Sequence, residues 1–174
     1  MAAATILGLT GCLPFSTVDI LIEFPRSRME NVLLALETEV RKQTVEENLP
    51  ALDPQIRTPE MEALIQAREA RFPRLAPLLE AGAFGESLGG RLEEHPQGIE
   101  GLSAKEQAVA RLLAEAENTN REAWIAELAR AHQLEGPESL EKIRSVYSVV
   151  LRRFARTGWR VQGPNQEWRV KGTF

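Results

Sequence analysis

The sequence predicts a mainly α-helical protein: a small helical domain with a C-terminal β-hairpin, which a short N-terminal strand can join. Four segments repeat apolar residues at the three- and four-residue spacing of amphipathic helices. Two of these segments open with residues typical of helix N-caps. Near the C-terminus, two short β-type segments flank a Gly-Pro-Asn turn, which is typical of a hairpin.

The N-terminal elements are a strand and a helix. Residues 16–24 alternate and are rich in β-branched side chains, which predicts a strand that ends at Pro25. A helix is predicted from residue 27 to about 47. Its apolar stripe consists of Met29, Val32, Leu33, Leu36 and Val40.

The second helix begins after Thr58, whose side chain can cap it, with Pro59 at the first helical position. Pro73 and Pro77 lie inside its apolar pattern, and because proline lacks the backbone donor, they predict a bend or a restart. Residues 80–101 then predict a long glycine-bearing loop. No Gly-Lys-Ser/Thr follows these glycines, so turns and a helix C-cap are favoured over phosphate binding.

The last elements are two helices and the hairpin. Ser103 and Glu106 form a capping box that opens a helix running to about residue 132, and a further helix begins at Pro137 and ends before Gly158. One face of the hairpin is predicted to carry Trp159, Val161, Trp168 and Val170, and the other Arg160, Gln162, Glu167 and Arg169. A candidate partner surface consists of Trp159, Gln162 and Trp168, although such tryptophans also commonly pack into a core.

Composition excludes several classes of protein. The chain has 174 residues and a formal net charge of −4, which gives no overall basic character for binding nucleic acid. One cysteine and two histidines leave no internal disulfide and no zinc-type cluster, so no metal and no cofactor are predicted. Charge is uneven, however: from Glu138 to Lys171 there are eight Lys/Arg and three Glu, a basic segment that can meet anionic headgroups or acidic helices of the same chain.

Residues 1–12 form a signal-like segment that ends in Leu9-Thr10-Gly11-Cys12. This pattern resembles a bacterial lipobox, in which the cysteine receives the lipid. The first eleven residues lack the Lys or Arg that normally opens a signal peptide. A buried Cys12 in a short apolar helix is the alternative. With Leu13 in place of Asp, lipidation at Cys12 predicts anchoring to the outer membrane and exposure to the periplasm.

Polar residues interrupt apolar stripes in the central helices. Arg68 lies in the stripe of the second helix, while Glu117, Asn120 and Arg121 lie in those of the third. Because buried polar groups need partners, these residues are expected to hold one another, with Glu86 from the glycine segment joining them. The network is either a structural clasp or a site for an anionic ligand. A single carboxylate without a nucleophile or metal is a poor basis for an enzyme.

Three stretches in this order resemble the YdbL-like family of bacterial envelope proteins, a domain of unknown function. They are REARFPRLAPLLEAGAFGESLGGRL, AENTNREAWIAELARAHQL and GWRVQGPNQEW. The predicted organisation is therefore a signal-like segment (1–12), an N-terminal extension (13–54) and a YdbL-like domain (55–174). The resemblance implies a small non-enzymatic protein that acts beside an AsmA-like bridge protein or a small lipoprotein in envelope lipid homeostasis. It supplies no catalytic residues.

The function expected from the sequence is thus that of a lipid-anchored accessory or chaperone-like binding protein of the bacterial envelope, with no catalytic residues. The alternative is a periplasmic carrier or sensor of a small ligand or lipid, with Arg68 and Arg121 binding an acidic headgroup.

Overall fold

The structure is a computed structural model that describes residues 24–46 and 52–172. The mainly helical class with a C-terminal hairpin is confirmed. In chain order the elements are α1 (Arg26–Arg41), α2 (Pro59–Glu80), β1 (Phe84–Glu86), β2 (Leu92–Glu94), α3 (Pro96–Ile99), α4 (Ala104–Ala131), α5 (Pro137–Phe154), β3 (Arg160–Gln162) and β4 (Trp168–Val170). Cys12 and nearly all of the strand expected at 16–24 lie outside the described residues.

The predicted helix caps are present. Thr58 accepts a hydrogen bond from the backbone amide of Met61 at the start of α2, and Ser103 and Glu106 form the capping box of α4. The restart expected at the α2 prolines is wrong, since α2 continues through Pro73 and Pro77 as one helix. Both prolines are exposed, while Leu75 and Ala76 between them are buried in the core, and such packing supplies most helical stability in proteins.

The helices α1, α2, α4 and α5 enclose one apolar core. Leu33 of α1, Leu128 of α4 and Val150 of α5 are all fully buried in it. Helix α1 belongs to the stretch assigned from the sequence to an N-terminal extension, and in the structure it packs directly on α2 and α5. A second apolar cluster connects the end of α2 to the sheet and includes Leu79, Phe84 and Trp159.

The strands form one four-stranded sheet in the order β2-β1-β3-β4. Strands β1 and β2 are antiparallel, and β1 pairs in parallel with β3, with Gly85 opposite Arg160. The expectation of a long loop at 80–101 is therefore wrong. That segment contains the β1–β2 hairpin and the short helix α3. Through its pairing with β3, strand β1 also attaches the C-terminal hairpin to this central segment.

The faces predicted for the C-terminal hairpin are also wrong. Val161 lies opposite Arg169 and Gln162 lies opposite Trp168, so Trp168 shares a face with Gln162 and not with Trp159. The connection spans residues 163–167 and is closed by a hydrogen bond from the amide of Gly163 to the carbonyl of Glu167. Gln166 adopts a left-handed conformation there (φ 63°), which accommodates the residue that shifts the register.

Candidate functional site

Six buried charged side chains from three helices and one strand meet in the interior. They are Glu37 and Arg41 from α1, Arg68 from α2, Glu86 from β1, and Glu117 and Arg121 from α4. Charges are almost never buried unless they are paired, so their partners decide what this cluster can do. We call these six residues the ionic ring.

Glu117 binds the largest number of guanidinium groups. Its Oε1 accepts hydrogen bonds from Nε and Nη2 of Arg68 at 2.9 and 2.8 Å, and from Nε of Arg121 at 3.0 Å. Its Oε2 accepts one from Nη1 of Arg71 at 3.0 Å. Arg71 is partly exposed, so it connects the ring to solvent.

Glu86 is the second carboxylate. Its two oxygens accept from Nη1 and Nη2 of Arg121, at 2.6 and 3.2 Å, in a two-pronged arrangement. Its Oε1 also accepts from Nη2 of Arg41 at 3.0 Å. Strand β1 has buried residues along its whole length, and its pairing with β2 and β3 fixes the position of Glu86.

Glu37 closes the ring. It binds Nε of Arg41 at 2.7 Å and Nη2 of Arg68 at 2.7 Å, and it also accepts the hydroxyl hydrogen of Tyr147 at 2.6 Å. Each acid therefore touches two arginines of the ring and each arginine touches two acids. The six charges alternate in sign and sum to zero.

Aromatic rings cover the guanidinium faces. The guanidinium of Arg68 lies 4.3 Å from the centre of the Trp124 ring, and that of Arg41 lies 5.1 Å from Phe72 and 5.6 Å from Phe154. Such cation–π contacts gain strength when the cation is removed from water. They matter here because Nη1 of Arg41 and Nη1 of Arg68 are buried and have no hydrogen-bond partner in the described residues.

The arginines keep two of the buried carboxyls, those of Glu37 and Glu117, ionised. Burial raises the pKa of Glu37, but the charges of Arg68 and Arg41 outweigh it and lower that pKa from 4.5 to about 2. Burial likewise opposes ionisation of Glu117, and Arg68 and Arg121 hold its pKa far below the ordinary value. Burial raises the pKa of the Tyr147 hydroxyl well above its ordinary value, so Tyr147 stays a donor.

This arrangement suits a clasp better than a binding or catalytic site. Every carboxylate is engaged by at least two guanidinium groups, so none is free to act as a general base or to receive a substrate's proton. Within residues 24–46 and 52–172, no group of three or more side chains could hold a metal ion. The ring connects α1, α2, α4 and β1 at a single point.

Four of the five residues predicted from the sequence meet here: Arg68, Glu86, Glu117 and Arg121. Asn120 does not; it is partly exposed and makes no side-chain hydrogen bond to any described residue. The neighbouring Asn118 is the buried amide. Its side chain accepts from the backbone amide of Leu92 at 2.8 Å and donates to the carbonyl of Leu92 at 3.0 Å, which attaches β2 to α4.

The sequence reasoning missed Glu37, Arg41 and Tyr147. Glu37 lies between Leu33 and Val40 on the apolar stripe of α1. A charged residue that interrupts an apolar stripe is the same signal that pointed to Glu117, so this signal also identifies Glu37. Arg41 follows one turn later at the last residue of α1, where a basic side chain is ordinary and carries no signal.

The candidate partner surface of the hairpin is not an exposed aromatic face. Trp159 is fully buried in the core, which contradicts its assignment to a partner surface. Gln162 accepts a hydrogen bond from the amide of Leu88 at 3.0 Å, and Trp168 packs edge-on against His95 with ring centres 4.2 Å apart. All three side chains therefore make internal contacts.

None of the described helices has the length and apolar character of a transmembrane span. Comparison with family models, curated proteins and solved structures found no match to this chain.

Proposed function

We propose that the protein is a non-catalytic accessory binding protein of the bacterial envelope, anchored through a lipid on Cys12. It acts beside an AsmA-like bridge protein or a small lipoprotein. The observation that carries the non-catalytic part is the closed ionic ring, the largest cluster of ionisable groups in the described residues, in which every acid is paired. The lipobox carries the envelope part.

The first experiment tests the anchor. The chain is expressed in a bacterial host in the presence of radiolabelled palmitate, beside the variant Cys12→Ala. We expect label in the wild-type protein, none in the variant, and recovery of the wild type with membranes. An unlabelled wild-type chain would refute anchoring through Cys12.

The second experiment tests partner binding. Leu112 on α4 and Val170 on β4 are large apolar residues that are 71% and 56% exposed, so a photo-crosslinking amino acid at either site should not disturb the core. We expect one of these sites to capture a defined envelope protein, while the same probe at exposed Glu115 captures none. If neither apolar site yields an adduct in cells that display the chain in the envelope, the binding function is wrong.

A carrier function is the second candidate. It was expected to use Arg68 and Arg121, but both are held by carboxylates of the ionic ring, so a headgroup would have to displace Glu117 or Glu86. A groove beside α5 supports an anionic ligand instead. Native mass spectrometry of protein from its host tests the carrier function, which a spectrum free of bound lipid would contradict.

A further inference from the structure

A groove lies between α5 and strand β4, and none of the residues that line it belongs to the ionic ring. Its volume is about 470 Å³. Val149, Val161 and Val170 supply apolar walls, and four of the five remaining lining residues are basic. Val170 is 56% exposed, so the apolar side of the groove reaches solvent.

Four cations line this groove: Arg152, Arg153, Arg169 and Lys171. Two have partners that account for them. Arg153 pairs with Glu30 at 2.5 Å and Glu46 at 2.6 Å, and Lys171 donates to the carbonyl of Arg152 at 2.7 Å near the C-terminal end of α5. The latter contact places a positive charge at a helix C-terminus, where it is favourable.

The other two cations, Arg152 and Arg169, form no ion pair with any carboxylate among the described residues. The one side-chain bond of Arg152 is a long one, 3.4 Å, to the hydroxyl of Ser148. Partial burial and the nearby charge of Arg169 both lower the pKa of Arg152, so two like charges face the same space. Like charges held together without an acid are a cost that a bound anion relieves.

Several surface arginines elsewhere in the protein are paired with a carboxylate. Arg111 meets Glu94 at 2.7 Å, and Arg144 meets Glu122 at 2.8 Å. Arg152 and Arg169 differ from single unpaired arginines because both line one groove, beside three valines, on a chain of net charge −4. Guanidinium groups are matched to phosphate oxygens, and an apolar edge next to them suits the glycerol and upper acyl region of a phospholipid.

We propose that this groove binds the headgroup of an anionic phospholipid, so that the α5–β4 face lies against the membrane surface. The proposal rests on the proposed function for one point, the proximity of the chain to a bilayer. Beyond the proposed function, it specifies the face of the protein that meets the membrane and the class of lipid that is recognised. Arg152 and Arg169 contact the phosphate, and Val170 lies at the level of the headgroups.

The test uses the full chain carrying Cys12→Ser, so that no covalent lipid contributes. Binding is measured by co-sedimentation with phosphatidylcholine vesicles and with vesicles that contain phosphatidylcholine and phosphatidylglycerol at 7:3. We expect preference for the anionic vesicles. Because each basic residue near an anionic surface contributes roughly 1 kcal/mol, Arg152→Gln with Arg169→Gln should weaken that binding about 30-fold.

The matched control is Arg26→Gln with Arg74→Gln. It removes the same charge from two exposed arginines that also lack ion pairs among the described residues, but on other surfaces. We expect this control to lose less than threefold. Equal losses in the two double variants, or no preference for anionic vesicles, would overturn the proposal. Thermal melts of both variants check that the fold is retained.

A further arm separates lipid from free phosphate. Inorganic phosphate at 10 mM is added to the vesicle assay with sodium chloride at matched ionic strength as its control. We expect the two salts to weaken binding equally. Release by phosphate alone would show a site for soluble phosphate and overturn the lipid assignment. Palmitate labelling at Cys12 is independent of all these outcomes, so loss of the groove proposal and loss of the anchor are distinguished.

Discussion

Replacing Glu117 by glutamine removes one charge from the ionic ring and leaves the side chain nearly unchanged in size. The carboxylate accepts four hydrogen bonds from three guanidinium groups. Glutamine retains one acceptor oxygen, and its amide nitrogen cannot accept from Arg71 or the others. The six-residue ring then changes from neutral to a net charge of +1 in a buried place.

The expected cost follows from what remains around the arginines. Arg68 keeps its contact to Glu37 and Arg121 keeps Glu86, but neither can reach water because both are fully buried. Removing one partner from a buried pair costs about 3–5 kcal/mol. That is a large part of the roughly 5–15 kcal/mol by which a native domain is stable.

Urea unfolding at pH 7, followed by far-UV circular dichroism, measures the change in the free energy of unfolding. The control is Glu94→Gln, the same substitution in the ion pair with Arg111, where both side chains are exposed. An exposed pair contributes about 0–1 kcal/mol, so the control should barely shift the midpoint. If Glu117→Gln loses no more free energy of unfolding than the control, the reasoning is refuted. Such a result would favour a ligand-binding role for Glu117.

Three further predictions concern the same interior. The free energy of unfolding should fall as the pH drops from about 4.5 toward 2, because a carboxyl with a lowered folded pKa stabilises the fold only while it is ionised. For Glu37, with a pKa of about 2, the loss approaches about 3 kcal/mol near pH 2, and urea titrations at pH 6, 4, 3 and 2 measure it. Tyr147→Phe should lower the free energy of unfolding by about 1.5–3 kcal/mol, because Glu37 loses a charge-assisted hydrogen bond. Chemical unfolding of Tyr147→Leu, measured in parallel, separates the loss of this hydrogen bond from the loss of ring packing. Asn118→Ala should cost about 2–4 kcal/mol and speed hydrogen exchange at the amide of Leu92, since that amide and carbonyl lose their partner; unchanged exchange would contradict the assigned contact.

The helices were largely predictable because their signals are local. Thr58 with Pro59 and Ser103 with Glu106 mark helix starts through bonds that span three residues, and the structure contains both. Strand β1 carries no such signal. It has only three residues, and its buried position depends on β3, whose partner residues lie 75 positions later in the chain.

The ionic ring was predictable in part. Arg68, Glu117 and Arg121 interrupt apolar stripes, and that conflict between burial and charge is visible in a sequence. The choice between Asn118 and Asn120 depends on how α4 rotates along its 28 residues, which the local pattern does not determine. The hairpin faces depended on a single left-handed residue, Gln166, which shifts the pairing by one position.

The parallel pairing of β1 with β3 has a consequence for the order in which the chain can fold. Strand β1, which carries Glu86 of the ionic ring, gains its second partner strand only when residues 160 and 161 are present. A nascent chain that ends before residue 155 therefore lacks the strand that pairs with β1, and with it Trp159 and Val161 of the second apolar cluster. Long-range pairing of this kind delays folding. Completion of the sheet therefore waits until residues 160 and 161 have been synthesised.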